Sequence, residues 1–199
     1  MNLPNKLTVV RVILVPFFVF FLLLPGIPHH YLYALILFSA AAYTDHLDGK
    51  LARKNNQITN FGKFMDPLAD KVMVVSALVC FVHLGLADTW CVILIIAREF
   101  IVTSIRLAAV DNGVVVAANN WGKTKTISQI IAIITILAFQ YIQELVMLGK
   151  LSAFTISGMS SAAVFGQVGF VLILIATFFA VLSGFIYIKQ NIGAINTTK

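Results

Sequence analysis

Between Asp45 and Asp70 this chain sets four of its eight acidic residues among long apolar segments. The stretch reads Asp45-His46-Leu47-Asp48-Gly49-Lys50-Leu51-Ala52-Arg53, then eight residues, then Gly62-Lys63-Phe64-Met65-Asp66-Pro67-Leu68-Ala69-Asp70. An ionisable group within or beside a membrane span is costly unless it is paired, so such groups mark function. Asp45 and Asp48 are spaced i, i+3, and Asp66 and Asp70 are spaced i, i+4, which puts each pair on one face of a helix. Four converging carboxylates repel one another, and a bound divalent cation resolves that repulsion. Carboxylate oxygens suit hard ions such as magnesium. Two such ions about 3.5–4 Å apart form a clamp for displacement at phosphorus. Gly49 and Ala52 are small and lie on or near the Asp45/Asp48 face, so a ligand can approach the backbone there. Arg53 adds a fixed cation suited to phosphate.

The rest of the composition describes the medium. Of 199 residues, 60% are hydrophobic and 11% are charged. These proportions predict an all-α, polytopic membrane protein rather than a soluble domain. One membrane-embedded domain, residues 1–199, is the expected organisation. The net charge of +6 fits a basic membrane face against anionic lipid. Nucleic acid is not an expected partner, because no basic, aromatic-interleaved soluble surface is evident. Cys80 and Cys91 both fall in apolar runs and read as packing residues rather than a disulfide.

Six spans are expected. The first runs from Val12 to about Leu24 and is read as retained, since no small-residue cleavage site follows it. The second covers about Tyr31–Tyr43. A crossing needs about 20 residues, so this span should continue through the acidic motif toward Leu51. Further spans are expected at about Phe61–His83, Thr89–Val110, Trp121–Val146 and Val164–Ile188. Gly149–Ala163, rich in Ser and Gly, reads as a loop, and His29 and His30 as a solvated turn. The loops after spans one, three and five carry Lys150 alone among the 14 basic residues. Both termini and the motif are therefore expected on the cytoplasmic side. The expected architecture is a bundle of six transmembrane helices with a polar, metal-containing cavity at that side.

The pattern Asp-x2-Asp-Gly-x2-Ala-Arg-x8-Gly-x3-Asp-x3-Asp, filled here by Asp45, Asp48, Gly49, Ala52, Arg53, Gly62, Asp66 and Asp70, resembles the signature of the CDP-alcohol phosphatidyltransferase family. The opening Pro4-Asn5-Lys6-Leu7-Thr8-Val9-Val10-Arg11 also resembles the family's first helix. The resemblance implies transfer of a phosphatidyl group from CDP-diacylglycerol to an alcohol, with CMP leaving. It implies that Asp45, Asp48, Asp66 and Asp70 hold two Mg2+ or Mn2+ ions, and that Asp70 is also the general base. Asn5, Thr8, Gly49, Ala52 and Arg53 would line the CDP-diacylglycerol site. The resemblance further implies a homodimer in a bacterial cytoplasmic membrane, with the donor's alkyl chains left in membrane lipid.

The motif does not choose the acceptor. Lys63, Arg98, Arg106, Lys123 and Lys125 exceed what one pyrophosphate needs, and a second anionic substrate explains them. Arg98 and Arg106, eight residues apart, are expected on roughly one face. Adjacent helical positions point about 100° apart, so Arg98 and Glu99 are expected to find separate partners. Ala97-Arg98-Glu99-Phe100, Thr103-Ser104-Ile105-Arg106 and Trp121-Gly122-Lys123-Thr124-Lys125-Thr126 resemble bacterial family members whose acceptor is glycerol-3-phosphate. A family alternative joins the donor to phosphatidylglycerol, making cardiolipin. An alternative of another class is a divalent-cation transporter. Against it, the carboxylates cluster at one face and the cations would repel a passing metal ion.

Overall fold

The computed structural model of the chain describes residues 3–24, 26–54, 60–111, 120–156 and 158–195, with side chains described at 8–24, 26–44, 69, 71–109, 121–156 and 158–191. Six helices account for most of it: α1 Leu3–Leu23, α2 His30–Lys54, α3 Asn60–His83, α4 Thr89–Asp111, α5 Asn120–Met147 and α6 Ser161–Ile195. The fold is all-α apart from a two-stranded antiparallel hairpin, β1 Thr155–Ile156 and β2 Met159–Ser160. That hairpin and the first turn of α6 occupy what the sequence suggested was a loop. Gly158 adopts φ +80°, a backbone conformation glycine takes at little cost, and so closes the turn. Ser160 then accepts a hydrogen bond from Ala163 N at 3.3 Å, as a helix-capping hydroxyl does.

Helix α2 runs as one element through the acidic motif, as its length demanded. The ends of α3 and α5 share one device. Gly85 N and Leu86 N donate to Val82 O and Phe81 O at 3.1 and 2.8 Å, and Gly149 N and Lys150 N donate to Val146 O and Leu145 O at 3.1 and 3.0 Å. Both glycines have positive φ, the left-handed cap that satisfies a helix's last carbonyls. Asp88 opens α4 by accepting from Trp90 N at 2.9 Å and Cys91 N at 3.3 Å.

The helices bury narrow stripes. On α1 the buried residues are Thr8, Arg11, Val15, Phe18 and Leu22, alternately three and four apart, which keeps them on one face. The opposite face carries Ile13, Phe17 and Phe20, each more than half exposed. On α6 the buried stripe includes Ile173, Ala176, Ala180, Ser183 and Tyr187, while Phe178 and Phe185 are outside, 63% and 66% exposed. Helix α1 packs on α2 and α3, α6 packs on α4 and α5, and α2 meets α5 to join the two groups. Large apolar side chains on the outer faces, around a core that is itself mostly apolar, are the arrangement that an apolar solvent favours. Helices α5 and α6 contain stretches long and apolar enough to cross a membrane, Trp121–Met147 and Ser161–Asn191; α1 and α3 contain shorter ones, Thr8–Leu23 and Lys71–His83.

Far from the motif, Glu144 of α5 fastens the start of α2. Its carboxylate accepts from His30 N at 3.0 Å and Tyr31 N at 3.3 Å, placing a negative charge at a helix N-terminus. His30 is buried there, not part of the expected solvated turn. Glu144→Ala should lower the unfolding free energy by about 1–2 kcal/mol, because one buried and one half-buried N–H group lose their acceptor. Thermal or denaturant unfolding in detergent checks this, and a midpoint equal to that of the wild type would contradict it.

Candidate active site

Asp45, Asp48, Gly49, Ala52 and Arg53 lie along α2, and Lys63, Asp66 and Asp70 along α3, but the side chains of all eight fall outside the described residues, as does that of Asn5 on α1. The chemistry of the donor set is still informative. Four carboxylates on two neighbouring helices, with no thiol or imidazole at the ligand positions of the pattern, fit hard divalent ions. Among the described residues no other group of three or more His, Cys, Asp or Glu gathers in metal-binding fashion.

Beside these helices the described side chains form a buried ionic cluster. Glu99 of α4 is its centre. Its Oε1 accepts from Arg98 Nη1 at 2.9 Å and pairs with Lys125 Nζ of α5. The three side chains are only 7–12% exposed. Adjacent residues on a helix point apart, yet Arg98 and Glu99 do pair, because the long guanidinium stem bends back to the carboxylate. A buried charge without a partner costs several kcal/mol, and that penalty drives the bend. The cluster continues to α3. Thr103 Oγ1 donates to Glu99 O at 2.6 Å, the bond of a helical hydroxyl to the preceding turn. Lys71, next to Asp70 in the chain, donates from Nζ to Thr103 Oγ1. One network thus links the helix bearing Asp66 and Asp70 to α4 and α5.

Helix α6 supports it from the other side. A Cβ placed on Gly184 would stand 2.8 Å from Arg98 Cγ, so the Arg98 stem lies directly on the α6 backbone. A similar close approach occurs at Gly169, whose Cβ would meet Ile136 Cγ1 of α5 at 3.3 Å, whereas Gly166 faces open space.

Of the sequence-suggested cations, Arg98 and Lys125 are brought together. Arg106 and Lys123 are exposed. Two turns of helix fall short of eight residues by about 80°, which is enough to separate Arg106 from the face Arg98 uses. Thr8 is fully buried on α1, and Arg11, one turn on, is 2% exposed. Sequence reasoning assigned no role to Arg11, Glu99, Lys71 or Thr103. A signal existed for Glu99, an acidic residue in the middle of an apolar helix, and for Arg11, three residues after Thr8 on the same stripe. Two cavities, about 330 and 360 Å³, open at the opposite end of the helices, near Asp88 and Phe165 and near His30 and Glu144. Neither is lined by a member of the Glu99 cluster.

Known proteins share sequence with this chain over its length. The family model described as CDP-alcohol phosphatidyltransferase matches residues 1–195. A Bacillus subtilis protein named CDP-diacylglycerol–glycerol-3-phosphate 3-phosphatidyltransferase is 41% identical over 208 aligned positions, covering 99% of this chain and 98% of that protein. Proteins of the same name from Haemophilus influenzae and Escherichia coli K12 are each 44% identical, over 66% of this chain and 73% and 74% of their own lengths.

Proposed function

The chain belongs to the CDP-alcohol phosphatidyltransferase family, and from that membership we propose that it transfers the phosphatidyl group of CDP-diacylglycerol to glycerol-3-phosphate, giving phosphatidylglycerophosphate and CMP. The observation that carries the reading is the match along essentially the whole of both chains to a relative named for this reaction. The buried Arg98–Glu99–Lys125 cluster supports it, because an acceptor that carries its own phosphate calls for cations beyond those that hold the pyrophosphate.

In this reading residues 1–199 are one domain with six membrane-spanning helices, multi-pass in the bacterial cytoplasmic membrane, the motif end facing the cytoplasm. The apolar outer faces of α1, α4 and α6 meet lipid, and the donor's acyl chains stay in the bilayer. Asp45, Asp48, Asp66 and Asp70 would hold magnesium or manganese. When bound, the metal would neutralise the pyrophosphate and the charge that builds on its oxygens. Arg53 pairs with the same pyrophosphate, while Gly49 and Ala52 let it approach α2, and Asn5 and Thr8 complete the donor site from α1. Arg98 and Lys125 receive the acceptor phosphate, and Lys63 with the exposed Arg106 and Lys123 draws the anion toward them. Asp70 takes the proton from the acceptor hydroxyl. That oxygen bonds to the phosphatidyl phosphorus, and the bond to the CMP oxygen breaks with its electron pair leaving on CMP.

An acceptor panel tests the assignment. Purified protein is given CDP-diacylglycerol with glycerol-3-phosphate, glycerol, serine, inositol or phosphatidylglycerol, and lipids and intact protein are followed by mass spectrometry. Phosphatidylglycerophosphate should form from glycerol-3-phosphate, with no phosphatidyl adduct on the protein. A product from another alcohol but none from glycerol-3-phosphate would overturn the acceptor, and a competent adduct would overturn direct transfer.

A further inference from the structure

We propose that Glu99 is a positioning residue for the acceptor: it holds Arg98 and Lys125 in place so that they receive a phosphate monoester, while touching neither substrate itself. The inference rests on the transferase reading above and deepens it.

Long cationic side chains lose much freedom when they are ordered, and a flexible pair of cations binds an anion weakly. Here the ordering is already done. The Glu99 carboxylate takes both Arg98 Nη1 and Lys125 Nζ on the same oxygen, Oε1, from two different helices. The Arg98 stem is pressed against the α6 backbone at Gly184. Glu99 itself is steadied through its own carbonyl, which accepts from Thr103, the residue that also receives Lys71 from α3. Two helices therefore meet at the Glu99 carboxylate, and α3 and α6 brace its neighbours Thr103 and Arg98. Two cations against one carboxylate leave a surplus positive charge in a buried place, which favours an anion over a neutral alcohol. Arg98 Nε is buried and has no hydrogen-bond partner among the described residues. A buried donor left unmet is unfavourable in the empty protein and becomes favourable once an anionic oxygen reaches it. Glu99 thus contributes to acceptor recognition while being the wrong charge to contact a phosphate.

The test is steady-state kinetics on full-length protein in micelles, varying each substrate in turn, for wild type, Glu99→Gln and Glu99→Asp. Residues coupled in one network lose enough on disruption that KM for glycerol-3-phosphate should rise about tenfold or more in Glu99→Gln. KM for CDP-diacylglycerol should stay within about twofold of wild type, since that site is built by other residues. Glu99→Asp keeps the charge and should restore part of the acceptor KM. A merely structural role would lower the amount of folded protein or both substrates' parameters alike, without that split. Equal changes in the two KM values, or an unchanged acceptor KM in folded Glu99→Gln, would overturn the proposal. If Glu99→Gln does not fold, Glu99→Asp decides: a raised KM for the acceptor alone supports the positioning role, and wild-type values for both overturn it. Wild-type protein that uses another alcohol but not glycerol-3-phosphate would sink the transferase assignment and this inference with it. A normal wild type with an unaffected Glu99→Gln variant would sink this inference alone.

Discussion

Asp66→Ala should abolish CMP release, with a loss of at least about a thousandfold. Asp66 sits on α3 one helical turn before Asp70, and both belong to the proposed metal site. Removing one carboxylate leaves too few hard oxygen donors to hold a divalent ion against the pyrophosphate, so the loss should fall on turnover at any substrate concentration. Raising magnesium should recover part of the activity if the defect is in metal affinity. Turnover is measured in detergent micelles beside a thermal unfolding trace, which separates lost chemistry from lost fold. Wild-type turnover in the variant would remove Asp66 from the metal site and with it the proposed division of labour along α3.

Asp70→Asn should lower turnover by about 100- to 10,000-fold, the range expected when a general base is removed. The amide is close in shape to the carboxylate, so packing is little disturbed, but it cannot accept the acceptor's proton at neutral pH. Magnesium titration of the same preparation keeps the two roles of Asp70 apart. Normal turnover with metal binding intact would take the base assignment away from Asp70 and leave it at most a ligand.

The position of the motif on the chain was readable because its physical demand is severe. Asp45 and Asp48 had to continue the helix begun at Tyr31, since that apolar run is too short to cross alone, and α2 does continue to Lys54. The six helices follow the apolar runs for the same reason. What the sequence could not display were contacts made between helices far apart in the chain. Glu99 and Lys125 are joined only when α4 packs beside α5, and Glu144 reaches His30 across 114 residues. Local geometry even argued against the Arg98–Glu99 pair, and the cost of burying an unpaired guanidinium outweighed it. The hairpin at Thr155–Ser160 escaped notice because two-residue strands are too short to show an alternating pattern, and its signal was a single glycine, Gly158.

The burial pattern adds something the composition alone did not. Apolar composition is shared by lipid-facing and core helices. Only the structure separates them: Ile13, Phe17 and Phe20 outward on α1, with Thr8 and Arg11 inward on the same helix. The buried polar groups are few, Thr8 and Arg11 on α1 and Lys125 and Gln129 on α5 among them, and they sit in a core that is otherwise apolar.

The most direct test of the account is CMP release by purified protein in micelles of CDP-diacylglycerol and magnesium, with and without glycerol-3-phosphate. The account predicts release that requires glycerol-3-phosphate. Release that proceeds equally without any alcohol, or no release with any alcohol from folded, metal-loaded protein, would contradict it.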